Sequence, residues 1–127
     1  MPLAGQTASG NINPSRFVTK SGAYTVAQAT AGAVAIGISQ EGSREAPLPG
    51  ASSLAAVAGD PIRVYGDTEN CLLEAGDVCA NGALLKPDAT GRGVTAATGE
   101  KYYAVAERGA AAAGVKMQVL MRSGVAP

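Results

Sequence analysis

The 127-residue sequence predicts an all-β domain: a small barrel or sandwich of about eight short strands behind an extended N-terminal arm. Three observations predict it. Short apolar runs recur between clusters of Gly, Pro, Asn, Asp and Ser, which is how strands joined by tight turns are written. The stretch "VKMQVLMR" at 115–122 alternates almost perfectly, with Val115, Met117, Val119 and Met121 on one face and Lys116, Gln118 and Arg122 on the other. No segment carries the 3.6-residue apolar period over the length of an ordinary helix.

The elements follow in chain order. Residues 1–14 are rich in Gly, Ser, Thr, Asn and Pro, with Leu3 and Ile12 as the apolar anchors, and read as an arm without a core of its own. Residues 15–127 form the single β domain. "RFVTK" is its first strand and "YTVAQAT" its second. "AVAIGIS" is the third, with Val34, Ile36 and Ile38 set against Ala33, Ala35 and Gly37. "QEGSREAPLPGASS" holds Pro47, Pro49 and Gly50, which exclude regular structure, and is a surface loop and a candidate contact loop. "SSLAAVAG" fits a short helix capped by Ser52 or Ser53 and stopped by Gly59, and fits an extended loop equally well. "PIRVYG" begins on a proline, which a strand accepts at its first position.

"NCLLE" and "DVCA" flank an "AG" turn, so that Cys71 and Cys79 would face each other across a hairpin. A strained disulfide is conceivable there, but small, buried, reduced side chains are the simpler expectation. "ALLKP" runs into "DATGRG", and "KYYAVAE" precedes the last strand. Gly76, Gly82, Gly91 and Gly93 are expected to supply positive φ, and Pro87 with Asp88 to start a tight turn. "AGDPIRV" and "AGDVCAN" read as one turn chemistry used twice rather than as a structural repeat.

Composition narrows the function. Ten basic and ten acidic residues balance, so no broad basic field recruits nucleic acid or anionic lipid. No apolar run approaches the ~20 residues that span a bilayer, and the N-terminus lacks the basic and apolar regions of a secretory signal. Synthesis in a cytoplasm is the expectation. One Phe, four Tyr and no Trp leave a core of small side chains, whose stability would be shared with subunit contacts.

No reactive constellation emerges. The chain has no histidine, which removes the usual general base, the usual transition-metal ligand and the Ser-His and Cys-His nucleophiles. Lys20 and Ser21 are adjacent on a strand and point apart. "GVTAATGEK" resembles a phosphate-binding loop only superficially; Glu100 stands at the lysine position and no helix follows, so a hairpin loop is expected. Asp67, Glu69, Glu74 and Asp77 lack the alternation and central glycine of a calcium loop. No metal, cofactor or catalytic residue is assigned, and the chain is read as not an enzyme. "ERGAAAAGVK" is either a tip whose small side chains allow close backbone approach to a neighbour, or a plain hairpin loop.

Four stretches, "AYTVAQATAGAVAIGIS", "AGDPIRVYG", "LEAGDVCANGALLKPDATGRGV" and "KYYAVAERGAAAAGVKMQVLM", resemble the capsid cement, or head-decoration, proteins of tailed bacteriophages over roughly residues 22–121. "AGD" before an apolar residue also occurs in biotinyl-type and other β-clip folds, but the "MKM" carrier lysine of the biotinyl domains has no counterpart at a turn here. The resemblance implies a β-tulip or β-clip-like domain that forms homotrimers at threefold positions. There it binds the major capsid protein on the outer surface of the expanded virion shell, with no catalytic residue to carry over. Three weak contacts made at once give such a trimer avidity. Leu3, Ile12 and Phe17 are the residues expected to contact the capsid. The alternative reading is a small β-barrel binding or carrier module.

Overall fold

A computed structural model describes residues 2–3, 6–41, 54–66 and 68–127, and they form eleven strands with no helix among them. The all-β prediction is met. The strands are β1 (Pro2–Leu3), β2 (Thr7–Ala8), β3 (Phe17–Lys20), β4 (Thr25–Gln28), β5 (Gly37–Ser39), β6 (Val64–Tyr65), β7 (Asn70–Glu74), β8 (Leu84–Pro87), β9 (Gly93–Thr95), β10 (Lys101–Arg108) and β11 (Lys116–Val125). They make two sheets. The first runs β1-β6-β5-β3-β4-β2, and the second β7-β11-β10-β8-β9.

The second sheet curls until its outer strands meet. Ala75 and Gly93 form a parallel bridge, and Gly76 N–H donates to the Gly93 carbonyl at 2.9 Å. A Cβ on Gly93 would lie 2.5 Å from Leu73 Cδ2, so this closure requires glycine for space rather than for φ. The same holds at Gly76, where a side chain would meet the Asp88 carboxylate and Val94. The positive φ expected at Gly76 and Gly93 is therefore corrected, while Gly82 and Gly91 do adopt it, each at 79°.

The first sheet is a middle layer with a core on each face. Phe17 and Val18 are neighbours on β3 and point to opposite sides. Phe17 joins Ile38, Leu73, Leu85, Met117 and Val119 in the barrel core, its ring edge-on to Tyr103 at 6.4 Å. Val18 joins Val26, Val64, Ile12, Ala55, Ala56 and Ile62 in a second, smaller core. β6 repeats the split, with Val64 in the small core and Tyr65 against the large one.

Residues 6–14 are thus no free arm. β2 pairs in parallel with β4, Ala8 N–H donates to the Asp60 carbonyl, and Ile12 N–H donates to Ala56, whose neighbour Ala55 returns a bond to Ile12. The polar composition that suggested an arm is that of a segment laid over a sheet with one apolar side chain turned in. Residues 54–59 are not helical: Ala56 bridges Ile12, and a turn follows at Val57–Asp60. Ser52, Ser53 and most of the "QEGSREAPLPGASS" loop fall outside the described residues.

Four further expectations change. Ala33, Val34 and Ile36 lie outside any strand because a turn closes from Ala33 N–H to the Thr30 carbonyl, so Val34 is exposed rather than aligned with Ile38. β7 pairs with β11 and not with the segment after "AG", so no hairpin places Cys71 opposite Cys79; both thiols are free and buried. The two "AGD" steps differ as well. Gly59 has a φ of 89° inside a turn that Asp60 closes with its carboxylate, whereas Gly76 closes the barrel. "GVTAATGEK" holds β9 and then carries the chain past β8 to β10, so it is a crossing connection and not a hairpin.

Candidate functional site

One end of the barrel is built from two loops tied together, residues 75–82 and 109–115. Cys79 and Ala110 exchange both backbone hydrogen bonds at 2.9 Å, which makes the join a two-residue antiparallel bridge. Gly109 N–H donates to Asn81 Oδ1 at 2.8 Å, Gly114 N–H to the Ala75 carbonyl at 2.8 Å, and Ala75 N–H to the Val115 carbonyl at 2.8 Å. Gly109 sits directly on the Cys79 carbonyl, leaving no room for a Cβ. The loops are held by backbone bonds at both flanks, with Ala75, Cys79 and Ala110 turned into the core and the remaining side chains largely outward.

Small and apolar residues fill that end. Val78 is 62 % exposed and Val115 44 %, with Ala80, Ala111, Ala112 and Ala113 exposed beside them in the chain. The charged side chains of the two loops and their flanks, Asp77, Glu107, Arg108 and Lys116, are also exposed and comprise two of each sign. Of the two readings of "ERGAAAAGVK", the segment is a hairpin loop by topology, joining β10 to β11, and it also carries the small-residue tip.

A second feature joins the sheets. Glu74 lies between two guanidinium groups, with Arg16 NH2 at 3.0 Å and Arg92 Nε at 2.6 Å, and Arg16 NH1 donates to the Thr90 carbonyl at 2.8 Å. Backbone bonds run alongside: Phe17 N–H to the Gly91 carbonyl and Glu74 N–H to the Ser15 carbonyl, both at 2.8 Å. This cluster is a joint: Arg16 is committed to Glu74 and to the Thr90 carbonyl, and Arg92 is paired with the same carboxylate.

Pro87, Asp88 and Gly91 form the tight turn the sequence suggested. Asp88 Oδ1 accepts from Thr90 N–H, Thr90 Oγ1 and Arg92 N–H, and Gly91 N–H donates to the Asp88 carbonyl, so β8 turns tightly into β9 just after Pro87. The expected contact residues fare differently. Ile12 and Phe17 have no exposed surface, because each is among the largest fully buried side chains and the two cores form around them. A side chain with no accessible area cannot meet a second protein while the chain stays folded, so their assignment to capsid contact is corrected. Leu3 lies in β1 opposite Val64.

Burial pushes the Cys71 thiol up to about 12, with the carboxylates of Glu41 and Glu69 adding to the effect, and burial raises Cys79 in the same direction. Neither thiol is a nucleophile at neutral pH. Among the described residues no group of three His, Cys, Asp or Glu side chains could hold a metal ion, and no helix is long and apolar enough to cross a membrane. No protein-family model matches the chain, and no curated protein matches it.

Proposed function

We propose that the chain is a structural protein of a tailed-phage virion, a cement protein that binds the outer surface of the expanded head as a homotrimer and stabilises the shell. The observation that carries this reading is the barrel end at residues 75–82 and 109–115. It is held by backbone hydrogen bonds, exposes mainly small apolar residues, and together with its flanks carries two charges of each sign, which suits a surface for close protein contact. The resemblance described above supplies the partner, the major capsid protein. The balanced charge of the chain suits a shell-binding role that avoids capturing DNA. We read the chain as non-enzymatic on the same grounds: its two thiols are buried and held protonated, and it has no histidine.

Expanded, undecorated heads of the phage that encodes the chain test the proposal by co-sedimentation. Wild-type protein is expected to bind to saturation and to sediment as a trimer when free. Val78→Asp and Ala112→Asp place a charge on exposed tip positions without touching either core, and are expected to abolish binding while leaving the thermal transition unchanged. Failure of the wild-type protein to bind overturns the cement reading, and undiminished binding by both variants moves the contact away from the tip.

A further inference from the structure

Asparagine is a chemically labile side chain. The backbone nitrogen of the next residue can attack its side-chain carbonyl carbon, and the ring that forms expels the side-chain nitrogen. The chain has four asparagines, Asn11, Asn13, Asn70 and Asn81. Pro14, after Asn13, has no N–H to give up. Ile12, after Asn11, is β-branched and fully buried, with its N–H on the Ala56 carbonyl. Asn70 precedes Cys71, a buried residue inside the β7–β11 pairing. Asn81 precedes Gly82, whose nitrogen no side chain shields, and both residues are exposed on the tip.

Three contacts bear on the reaction there. Gly109 N–H donates to Asn81 Oδ1 at 2.8 Å, which draws electrons from the carbonyl carbon and supports the oxyanion that attack would create. Asn81 Nδ2, the leaving group, makes no hydrogen bond among the described residues. Against these two, Gly82 N–H donates to the Ala106 carbonyl at 2.6 Å, while Ala106 N–H donates to Ala83 at 2.8 Å. An amide held in that bond is not free to lose its proton and turn onto the Asn81 side chain. The bond lies just ahead of β8, at the end of its pairing with β10, where a ladder frays before the sheet opens.

We propose that Asn81 is a deamidation site gated by this one backbone bond, closed while Gly82 is paired with Ala106 and open when the end of the ladder frays. Once open, the Gly82 nitrogen gives its proton to solvent and bonds to Asn81 Cγ. The Cγ–Nδ2 bond breaks, and Nδ2 takes a proton from solvent and departs as ammonia. Water then opens either carbonyl of the succinimide, leaving aspartate or isoaspartate at position 81. Both products add a negative charge to a tip where Asp77 and Glu107 otherwise balance Arg108 and Lys116. Isoaspartate also lengthens the backbone by one carbon ahead of Gly82, which moves the Gly82 and Gly109 bonds out of register. The tip thereby carries an irreversible off-switch for docking; that consequence rests on the shell-binding reading, whereas the chemistry does not.

Peptide mapping by mass spectrometry reads the reaction in the full-length chain, aged in mildly alkaline buffer either folded or in urea. In the folded chain, product is expected at position 81 and not at the other three. It should form at least about tenfold more slowly than in urea, as breaking one backbone bond implies, and in step with exchange of the Gly82 amide. Asn81→Gln is expected to give no product. Equal rates folded and in urea overturn the gate. A folded chain without product when the chain in urea has fully converted overturns the site, as does faster conversion at Asn11 or Asn70. Expanded heads read the consequence separately. Aged wild type and Asn81→Asp are expected to bind at least about tenfold more weakly than fresh wild type, and aged Asn81→Gln to bind as it does when fresh. Full affinity in converted protein overturns the off-switch. Absence of binding by fresh wild type overturns the cement reading instead, and leaves the site and its gate to the mass-spectrometric result.

Discussion

The two sheets of this protein hold together in different ways. The barrel sheet has the long strands: β10 and β11 run eight and ten residues and pair along most of their length through a short connecting loop. The middle sheet has strands of two to four residues, and distant segments supply its neighbours: β1 pairs with β6, and β2 with β4 in parallel. Such pairings recover little energy until the intervening chain is already folded, because loop closure costs entropy before the contacts form. The barrel sheet is stabilised largely by its own strand pairing, and the middle sheet by being buried on both faces. The lesson is that the thinner layer is the more dependent one, and the connection between the layers decides whether they act as one unit.

The sharpest way to break this comparison is to hollow the two cores separately. Phe17→Ala empties the barrel core and is expected to cost about 3–5 kcal/mol, and Ile12→Ala empties the smaller core for about 2–5 kcal/mol. Urea unfolding reads both losses, and amide exchange reads where they fall. Ile12→Ala is expected to speed exchange in β2 and β4 while β10 and β11 keep their protection. A uniform rise across both sheets would mean that the layers open only together.

A smaller effect is expected at the joint. Glu74→Gln leaves Arg16, whose side chain is only 11 % exposed, without its anion. Stranding a buried charge costs about 3–5 kcal/mol in full burial, and the partial exposure of Arg92 places the expected loss near the bottom of that range, about 3 kcal/mol. Arg92→Ala should cost less, because Arg16 still pairs with Glu74. If Glu74→Gln unfolds in urea at the wild-type midpoint, the backbone bonds at Phe17 and Glu74 alone join the sheets.

The smallest effect is confined to alkaline pH. The Cys71 thiol stands at about 12 in the folded chain against an ordinary 9.0, so the folded state binds its proton more tightly than the unfolded state does. The resulting contribution to stability is fully present below about pH 9 and is lost as pH rises from there toward about 12. Wild type and Cys71→Ala should therefore differ by a constant amount up to pH 8 and converge above pH 9, as followed by denaturant unfolding across that range. A constant difference through pH 11 would place the thiol in contact with solvent.

Legibility in the sequence followed the same division. "VKMQVLMR" announced its strand because a long strand with one buried face leaves a period of two that survives without neighbours. "AVAIGIS" alternates just as cleanly, yet Val34 faces solvent, Ile36 the small core and Ile38 the barrel. Its period belongs to a turn followed by a three-residue strand. Ile12 carried no signal of burial, since its neighbours are polar and the apolar surface that covers it comes from residues 55–64 and β3–β4. For the candidate site, the small residues of "GAAAAGV" were visible as a tip. Val78 was not, because its exposure depends on "DVCA" failing to pair as a strand and bridging Ala110 instead.

What the sequence determined by itself is local: an all-β chain, the turn at Pro87–Gly91, the faces of the last strand from Lys116 to Arg122 though not Val115, which is exposed before the strand begins, and the absence of histidine. Each rests on residue chemistry or on a period that needs no partner. The tertiary structure decided which strands pair, that residues 6–14 complete a core, that Gly76 and Gly93 are needed for space, and that Val78 and Val115 face outward at one end of the barrel. Those outcomes depend on segments far apart in the chain meeting at one place, and no local pattern of residues encodes which segments meet.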